Sequence, residues 1–448
     1  MSNNKCSKGV NAMKKVMGFW RCWGLVVGIM IGNGIFMLPA VLAPFGKMSL
    51  LGWVLAGLGT IFIALMFGLL SKRNPLVGGP YAYTREAFGD LAGFLIGWGY
   101  WIAVITAVAA GSLAVTGYLG VFFPDITQSP LLSAVVSVSL IWLVTGFNVV
   151  GVKASSTFQL ITSLLKILPL FIIAGGGLFI GEFSSSAITA PKDEATFQNI
   201  TEMIMIIMWA YVGVEAVTLP SDDMISPQKN IPKALIVGTL TVMAVYLLIS
   251  YGVMLLIPLD SLANSTSPIA DAASVIFGPW GAGLIAIVGL VSIISNINAN
   301  VFIVGVMPQA MSQDKVFPQY FARLNKVGAP GVAIVFSGIL ASVLVVMNFS
   351  EGLMGAFKTL ILLSTLATML PYVTSAMAEL VLQKKEHSEY NKRKWSSFII
   401  AFIALIFSIF ALIGSGLMIA LQGTILIAMG LPFYYWSKKR GEIILANS

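Results

Sequence analysis

Few residues in this sequence can do chemistry, and those few lie in long apolar runs. Lys166 stands in Leu164-Leu165-Lys166-Ile167-Leu168-Pro169, about ten residues and so ~15 Å of helix into its run. A lysine at that depth costs about 3 kcal/mol or more, so it must face the interior and have partners. It reads as a fixed or titrating cation, the alternative being an ammonium held permanently by backbone carbonyls. Glu215 closes the stretch Met208-Trp209-Ala210-Tyr211-Val212-Gly213-Val214-Glu215. It is either a proton-binding carboxylate or a packing acid hydrogen-bonded to amides freed nearby, and both readings stay open. Trp209 and Tyr211 precede it. A lone membrane tryptophan is ordinary packing, but beside a broken helix Trp209 is a candidate gate covering an amine by a cation–π contact. Asn296, Asn298 and Asn300 span just over one turn, so Asn296 and Asn300 share a helix face. Interhelical hydrogen bonding is the commoner use of such amides, and lining a polar site the rarer one.

The remaining chemistry is in the backbone. Gly28-Ile29-Met30-Ile31-Gly32-Asn33-Gly34-Ile35-Phe36 lies within an apolar run from about Met17 to Ala43. Glycine inside a helix costs roughly 1 kcal/mol relative to alanine, and it removes the side chain that keeps a ligand away from the main chain. A break at membrane depth is tolerated only where the freed N–H and C=O groups line a cavity or are buried in protein. Such a break leaves a half-helix N-terminus suited to an anion such as a carboxylate. The alternative is close helix packing through small residues.

The elements that must position these groups are membrane helices. The chain has 448 residues, 58% of them hydrophobic and 10% charged, with mean hydropathy +0.92; soluble domains carry about 25% charged residues. Two cysteines, Cys6 and Cys22, and one histidine, His387, offer no disulfide framework, haem or zinc site, and no metal or other cofactor is expected. The net charge of +8 is spread over membrane-flanking loops, which argues against nucleic acid. The run after the N-terminal tail is too long for a signal-peptide core and is read as retained.

Twelve apolar segments are predicted, at about 17–44, 48–71, 91–123, 131–150, 156–181, 199–220, 234–257, 279–308, 331–348, 355–382, 396–418 and 421–437. All but four of the 26 Lys and Arg fall in the tails or at even-numbered turns. Lys47, Lys192 and Lys358 lie on the opposite side and Lys166 within a segment. The positive-inside rule then puts both termini in the cytoplasm of a multi-pass protein of the cell inner (plasma) membrane. Three inner connections, 72–90, 309–330 and 383–395, are long enough for re-entrant or amphipathic pieces. In the first, Gly78-Gly79-Pro80 forces a turn before Tyr81 and Tyr83. Gly32 and Gly213 are 181 residues apart, one five-segment unit. Interrupted helices at matching places in two halves point to an inverted-repeat transporter site, whereas a channel filter or ring of like charges is not in evidence. No phosphate-binding loop, soluble domain or nucleophile–base constellation is present, so an ATP-driven pump and an enzyme are both disfavoured.

These residues, with Met37-Leu38-Pro39-Ala40, Tyr81-Ala82-Tyr83 before Ala87-Phe88-Gly89, Ser226-Pro227-Gln228-Lys229-Asn230-Ile231-Pro232, and Phe317 through Lys326, resemble the amino acid–polyamine–organocation transporters. The likeness covers nearly the whole chain and is closer to the basic amino acid/polyamine antiporter group, typified by the bacterial arginine–agmatine exchanger. It implies an all-α polytopic membrane protein of 12 transmembrane helices. Residues 17–181 and 199–382 would form a 5+5 inverted repeat, the amino acid/sodium symporter-like fold, with helices 1 and 6 broken. Segments 396–437 add two helices, and 1–16 and 438–448 are cytoplasmic tails. It further implies alternating access around a central site. Gly32, Asn33 and Gly34, flanked by Ile29 and Ile31, would hold the substrate carboxylate. Carbonyls around Trp209 and Val212 would hold the amine, and Ser364 would make a further contact. The gating and coupling set would be Lys166, Glu215, Tyr100 and Trp209. Lys166 matches a lysine that occupies the place of a sodium ion in several sodium-independent relatives and is missing from the arginine exchanger. Some relatives are homodimers.

The resemblance does not carry the substrate side chain. The groups that recognise arginine's guanidinium and stem fall on Ile29, Val104, Val108, Gly111 and Asn300. Burying a guanidinium against these mostly small or apolar positions costs roughly 1–3 kcal/mol for each unpaired group. A neutral or apolar amino acid is therefore expected, with basic amino acids and polyamines as the second choice, kept open by Glu215. Exchange is expected, with proton-coupled symport as the alternative.

Overall fold

The computed structural model describes residues 18–32, 34–73, 79–151, 169–181, 192, 194–215, 225–387 and 395–446. Lys166 and Asn33 lie outside them, so nothing below bears on the expectations for either. The described chain is helical. The first span is a bent pair, α1 (Phe19–Met30) and α2 (Gly34–Leu42), joined through a 46° turn. There follow α3 (Met48–Arg73), α4 (Pro80–Phe88), α5 (Asp90–Leu119), the short α6 (Asp125–Gln128), α7 (Pro130–Val150) and α8 (Pro169–Ile180). The second half begins with α9 (Phe197–Tyr211) and α10 (Pro227–Leu256). It continues through α11 (Leu259–Ala263), α12 (Pro268–Gln313), α13 (Gly331–Asn348) and α14 (Gly352–His387), and closes with α15 (Trp395–Ile413), α16 (Gly416–Ala428) and α17 (Leu431–Ala446).

Eight of these helical runs are long and apolar enough to cross a membrane, and nine with the bent pair taken as one span. One of the eight, Gly331–Lys384, is two helices, α13 and α14, parted by a 3-10 turn and by Gly352 at φ +74°. Segments 156–181 and 199–220 fall partly outside the described residues and are represented by α8 and α9. The chain is thus a multi-pass helical membrane protein.

Burial sorts the helices by role. α5 is the central post, with 89% of its most apolar stretch buried, packed chiefly against α12 and α14. Its small residues, among them Gly93, Gly97, Ala103, Ala110 and Ala114, let neighbours approach closely. By contrast α15 is 22% buried and the α16–α17 run 11%, with Leu417, Met418 and Ile425 turned outward as lipid-facing residues are.

Three details differ from the expectations. The connection 258–278 carries α11 and a helix from Pro268 that meets the eighth segment at a kink, Gly278 at φ +70°. The C-terminal tail is helical as far as Ala446, because the amphipathic stretch after Leu431 has no breaker. The first inner connection holds α4, which starts where Gly79 takes φ +54° and Pro80 occupies the first helical turn.

Candidate functional site

The first break is a specific turn. Ile31 takes φ −75° and ψ 74°, and the Gly32 N–H donates to the Met30 carbonyl at 2.7 Å. This is an inverse γ-turn, and it replaces the next helical hydrogen bond. α2 then starts afresh at Gly34, so its first amides face the break without helical acceptors.

The second break lies after Tyr211. The Val212 N–H still donates to Met208 O at 3.0 Å, but Val212 is extended at ψ 141° and Gly213 takes φ +100°, a region open mainly to glycine. The Gly213 N–H turns away from the α9 carbonyls toward the Tyr372 hydroxyl, 3.4 Å off. The last carbonyls of α9 are thereby left at the negative end of its dipole.

The two breaks face each other. A Cβ on Gly34 would lie 3.1 Å from the Ala210 Cβ and 3.6 Å from the Trp209 ring. A Cβ on Gly213 would lie 2.6 Å from the Ile29 Cγ2. Tyr246 of α10 stitches them together, its buried hydroxyl reaching both the Met30 carbonyl and, at 3.3 Å, the Ala210 carbonyl. Sequence reasoning missed Tyr246. The available signal was a phenol inside an apolar run, which must find a polar partner when buried. Its neighbours are Trp53, at 4.8 Å between ring centres, and Tyr211, at 5.7 Å.

The structure brings the asparagine face to the same place. Asn296 is so close to the first break that its Nδ2 lies 2.7 Å from where a Cβ on Gly32 would stand. Asn300 donates to the Asn296 Oδ1 at 3.0 Å. Asn298, on the other face, instead takes a hydrogen bond from Asn148 of α7 at 2.8 Å. The two uses foreseen for these amides are thus divided between the two faces of α12.

Glu215 is 1% exposed. It accepts hydrogen bonds from Tyr372 and, at 3.1 Å, from Tyr100. This joins α5 and α14 to the second break and gives Tyr100 a partner in the gating set. Trp209 is 8% exposed and meets Phe357 edge-on at 5.5 Å. Ile31, Val104 and Val108 are buried, while Ile29 and Val212 are half-buried. The Ser364 hydroxyl donates to Ala103 O at 2.8 Å, which fixes α14 to α5 beside Val104.

At the inner end by charge count, polar pairs tie the bundle. Arg73 meets the buried Glu379 at 3.0 Å, and Gln383 donates to the same oxygen at 2.8 Å. Arg85 pairs with Asp90 at 2.7 Å and with Asp314 at 2.9 Å. Tyr81 donates to Asp314 at 2.7 Å; burial first, and then the Asp314 carboxylate, push its phenol well above its ordinary range, so it stays a donor. No group of His, Cys, Asp and Glu among the described residues is placed to hold a metal.

This arrangement sets amides at a positive helix end beside carbonyls at a negative one, with an acid and two phenols at one side. Dipoles so disposed complement a zwitterion. The same chain matches the family model described as amino acid permease over residues 17–434. It is 30% identical over 450 residues to an arginine/agmatine antiporter of Chlamydia felis, covering 96% of this chain and 91% of the relative. It is 29% identical over 432 residues to a putative arginine/ornithine antiporter of Bacillus subtilis, covering 89% and 92%. It is 27% identical over 440 residues to the putrescine transporter PotE of Escherichia coli, covering 96% and 98%. With both halves of the site and the whole length of the bundle matched, the chain belongs to the amino acid permease family.

Proposed function

We propose that this protein is an amino-acid exchanger of the cell inner membrane that works by alternating access. The observation that carries the reading is the apposition of two helix breaks, with Gly34 opening α2 against Trp209 and Ala210 closing α9. The substrate carboxylate binds the amides of Gly32, Asn33 and Gly34. The ammonium binds the carbonyls around Trp209 and Val212, under the Trp209 ring. Glu215, held by Tyr100 and Tyr372, and Lys166 couple the chamber to protonation. Ser364 steadies the α5 wall through Ala103. No covalent step is involved, so the protein is a carrier and not an enzyme. The charge distribution over the loops supports cytoplasmic termini.

The side chain of the substrate meets Ile29, Val104 and Val108, and the one amide nearby, Asn300, is engaged with Asn296. A neutral or apolar amino acid fits these walls best. A second reading, a basic amino acid or polyamine, is favoured by the relatives named for arginine, agmatine, ornithine and putrescine. Counterflow decides. Vesicles preloaded with unlabelled leucine are expected to take up labelled leucine faster than empty ones, and faster than arginine-loaded vesicles take up labelled arginine. Acceleration by arginine or putrescine alone would establish the second reading, and no acceleration by any of them would replace exchange with uniport or proton symport.

A further inference from the structure

The end of the bundle opposite the Arg73–Glu379 pair is poor in positive charge: by the loop count it holds Lys47, Lys192 and Lys358. Two of these three lysines converge on one acid. Glu202 of α9 lies 2.7 Å from the Lys192 Nζ through one oxygen and 2.9 Å from the Lys358 Nζ through the other. Lys192 is held on other sides as well. Its N–H donates to Pro44 O at 2.9 Å, its ammonium sits 5.1 Å from the centre of the Phe45 ring, and its carbonyl accepts from Asn199 at 3.5 Å.

The elements joined are the informative part. Pro44 and Phe45 lie in the 3-10 turn that follows α2, Glu202 is in α9, and Lys358 is in the first turns of α14. One carboxylate therefore ties the half-helices of both breaks to α14 at their far ends. It also stands directly beyond the gate aromatic. Glu202, Met205, Ile206 and Trp209 share a face of α9, and from Glu202 to Trp209 is ~10 Å along the axis. Trp209 packs on Phe357, the residue before Lys358.

We propose that Glu202, Lys192 and Lys358 are positioning residues that latch the chamber shut at this end, so that breaking the cluster opens it to this face and sets the affinity seen from it. The inference rests on the alternating-access reading above, in which half-helices separate from the rest of the bundle to admit substrate. The strength of the cluster suits a latch that must reopen in every cycle. Its side chains are 39%, 19% and 40% exposed for Lys192, Glu202 and Lys358, and partly exposed ion pairs are weak and screened by salt. The opposite end contrasts with this, since there Glu379 is fully buried against Arg73 and breaking the pair would leave a buried charge behind.

The test uses the full chain with C6S and C22S, after exchange by that background has been checked, carrying M205C as a reporter. A membrane-impermeant thiol reagent is added in turn to right-side-out and inside-out vesicles, which reads the cluster's face whichever way the protein lies. E202Q and K358Q are expected to raise the modification rate from one face about three- to tenfold and to lower the KM from that face, leaving the KM from the other face unchanged or raised. High salt should speed modification of the parent but not of E202Q. The charge-reversed triple E202K/K192E/K358E should return the rate toward the parent, which separates a lost latch from a damaged fold. Equal modification rates in parent and variants, or a KM that moves alike from both faces, would overturn the latch. The exchanger reading fails separately, if the unsubstituted protein shows no counterflow.

Discussion

The two helix breaks stand side by side but solve the same problem with different chemistry. The first is neutral. Its freed Met30 carbonyl is bonded by the Gly32 N–H and the Tyr246 hydroxyl, with the Asn296 amide against it. The second carries a charge-capable group, Glu215, enclosed by two phenols, and bends at a glycine that no other residue replaces cheaply. A neutral break presents fixed dipoles, which recognise the charges a ligand brings with it. A break with a buried acid is able to change its own charge, which dipoles cannot. Recognition is thus concentrated at the first break and coupling at the second.

That division can be broken most severely at Gly213. G213A places a Cβ 2.6 Å from Ile29 and forces alanine to φ +100°, strain of about 1–3 kcal/mol before any repacking. Counterflow is expected to fall at least tenfold, with the protein still recovered from the membrane; near-normal exchange would show that the bend is not required. K166A comes next and should abolish or strongly alter uptake without unfolding, and wild-type rates and pH dependence in reconstituted vesicles would count against it. E215Q keeps the size of the side chain and mimics its protonated form. Its exchange should lose most of its pH dependence while its substrate KM moves about threefold or less. If instead the KM shifts and the pH profile stays, coupling and recognition are not separated as described.

Smaller effects sharpen the neutral side. Y246F leaves one helix-end carbonyl without its donor, a cost of about 1–3 kcal/mol. A severalfold loss of exchange should therefore accompany lower stability in detergent. N296A should raise the KM a few fold with little change in maximal rate and none in pH profile. A flattened pH profile in N296A would move coupling to the first break.

Much of this was readable along the chain. The glycines of both breaks, the aromatic pair before Glu215, the Gly-Gly-Pro turn that starts α4 and the multi-pass helical class follow from local composition and spacing. The assignment of Asn296 to the site and Asn298 to helix packing did not. Neighbouring residues of one type differ there only by which helix they meet, and periodicity gives a face without giving its partner. Tyr246 and Tyr372 were missed for the same reason, since a phenol in an apolar run has no local signature of what its hydroxyl will bond. The helix from Pro268 was missed because short amphipathic pieces between spans carry weak hydropathy signals.

The sequence by itself determined that the chain crosses a membrane several times and where two of its helices come undone. Both are consequences of side-chain chemistry within a few turns: apolar runs long enough to span, and glycines where a helix is easily interrupted. Only the tertiary structure decided that the two interruptions meet and that Tyr246 joins them. It also decided that Glu202 draws in two lysines more than 150 residues apart in the chain. Such contacts depend on how separate helices pack, and the packing of one helix on another is fixed by the surfaces of both.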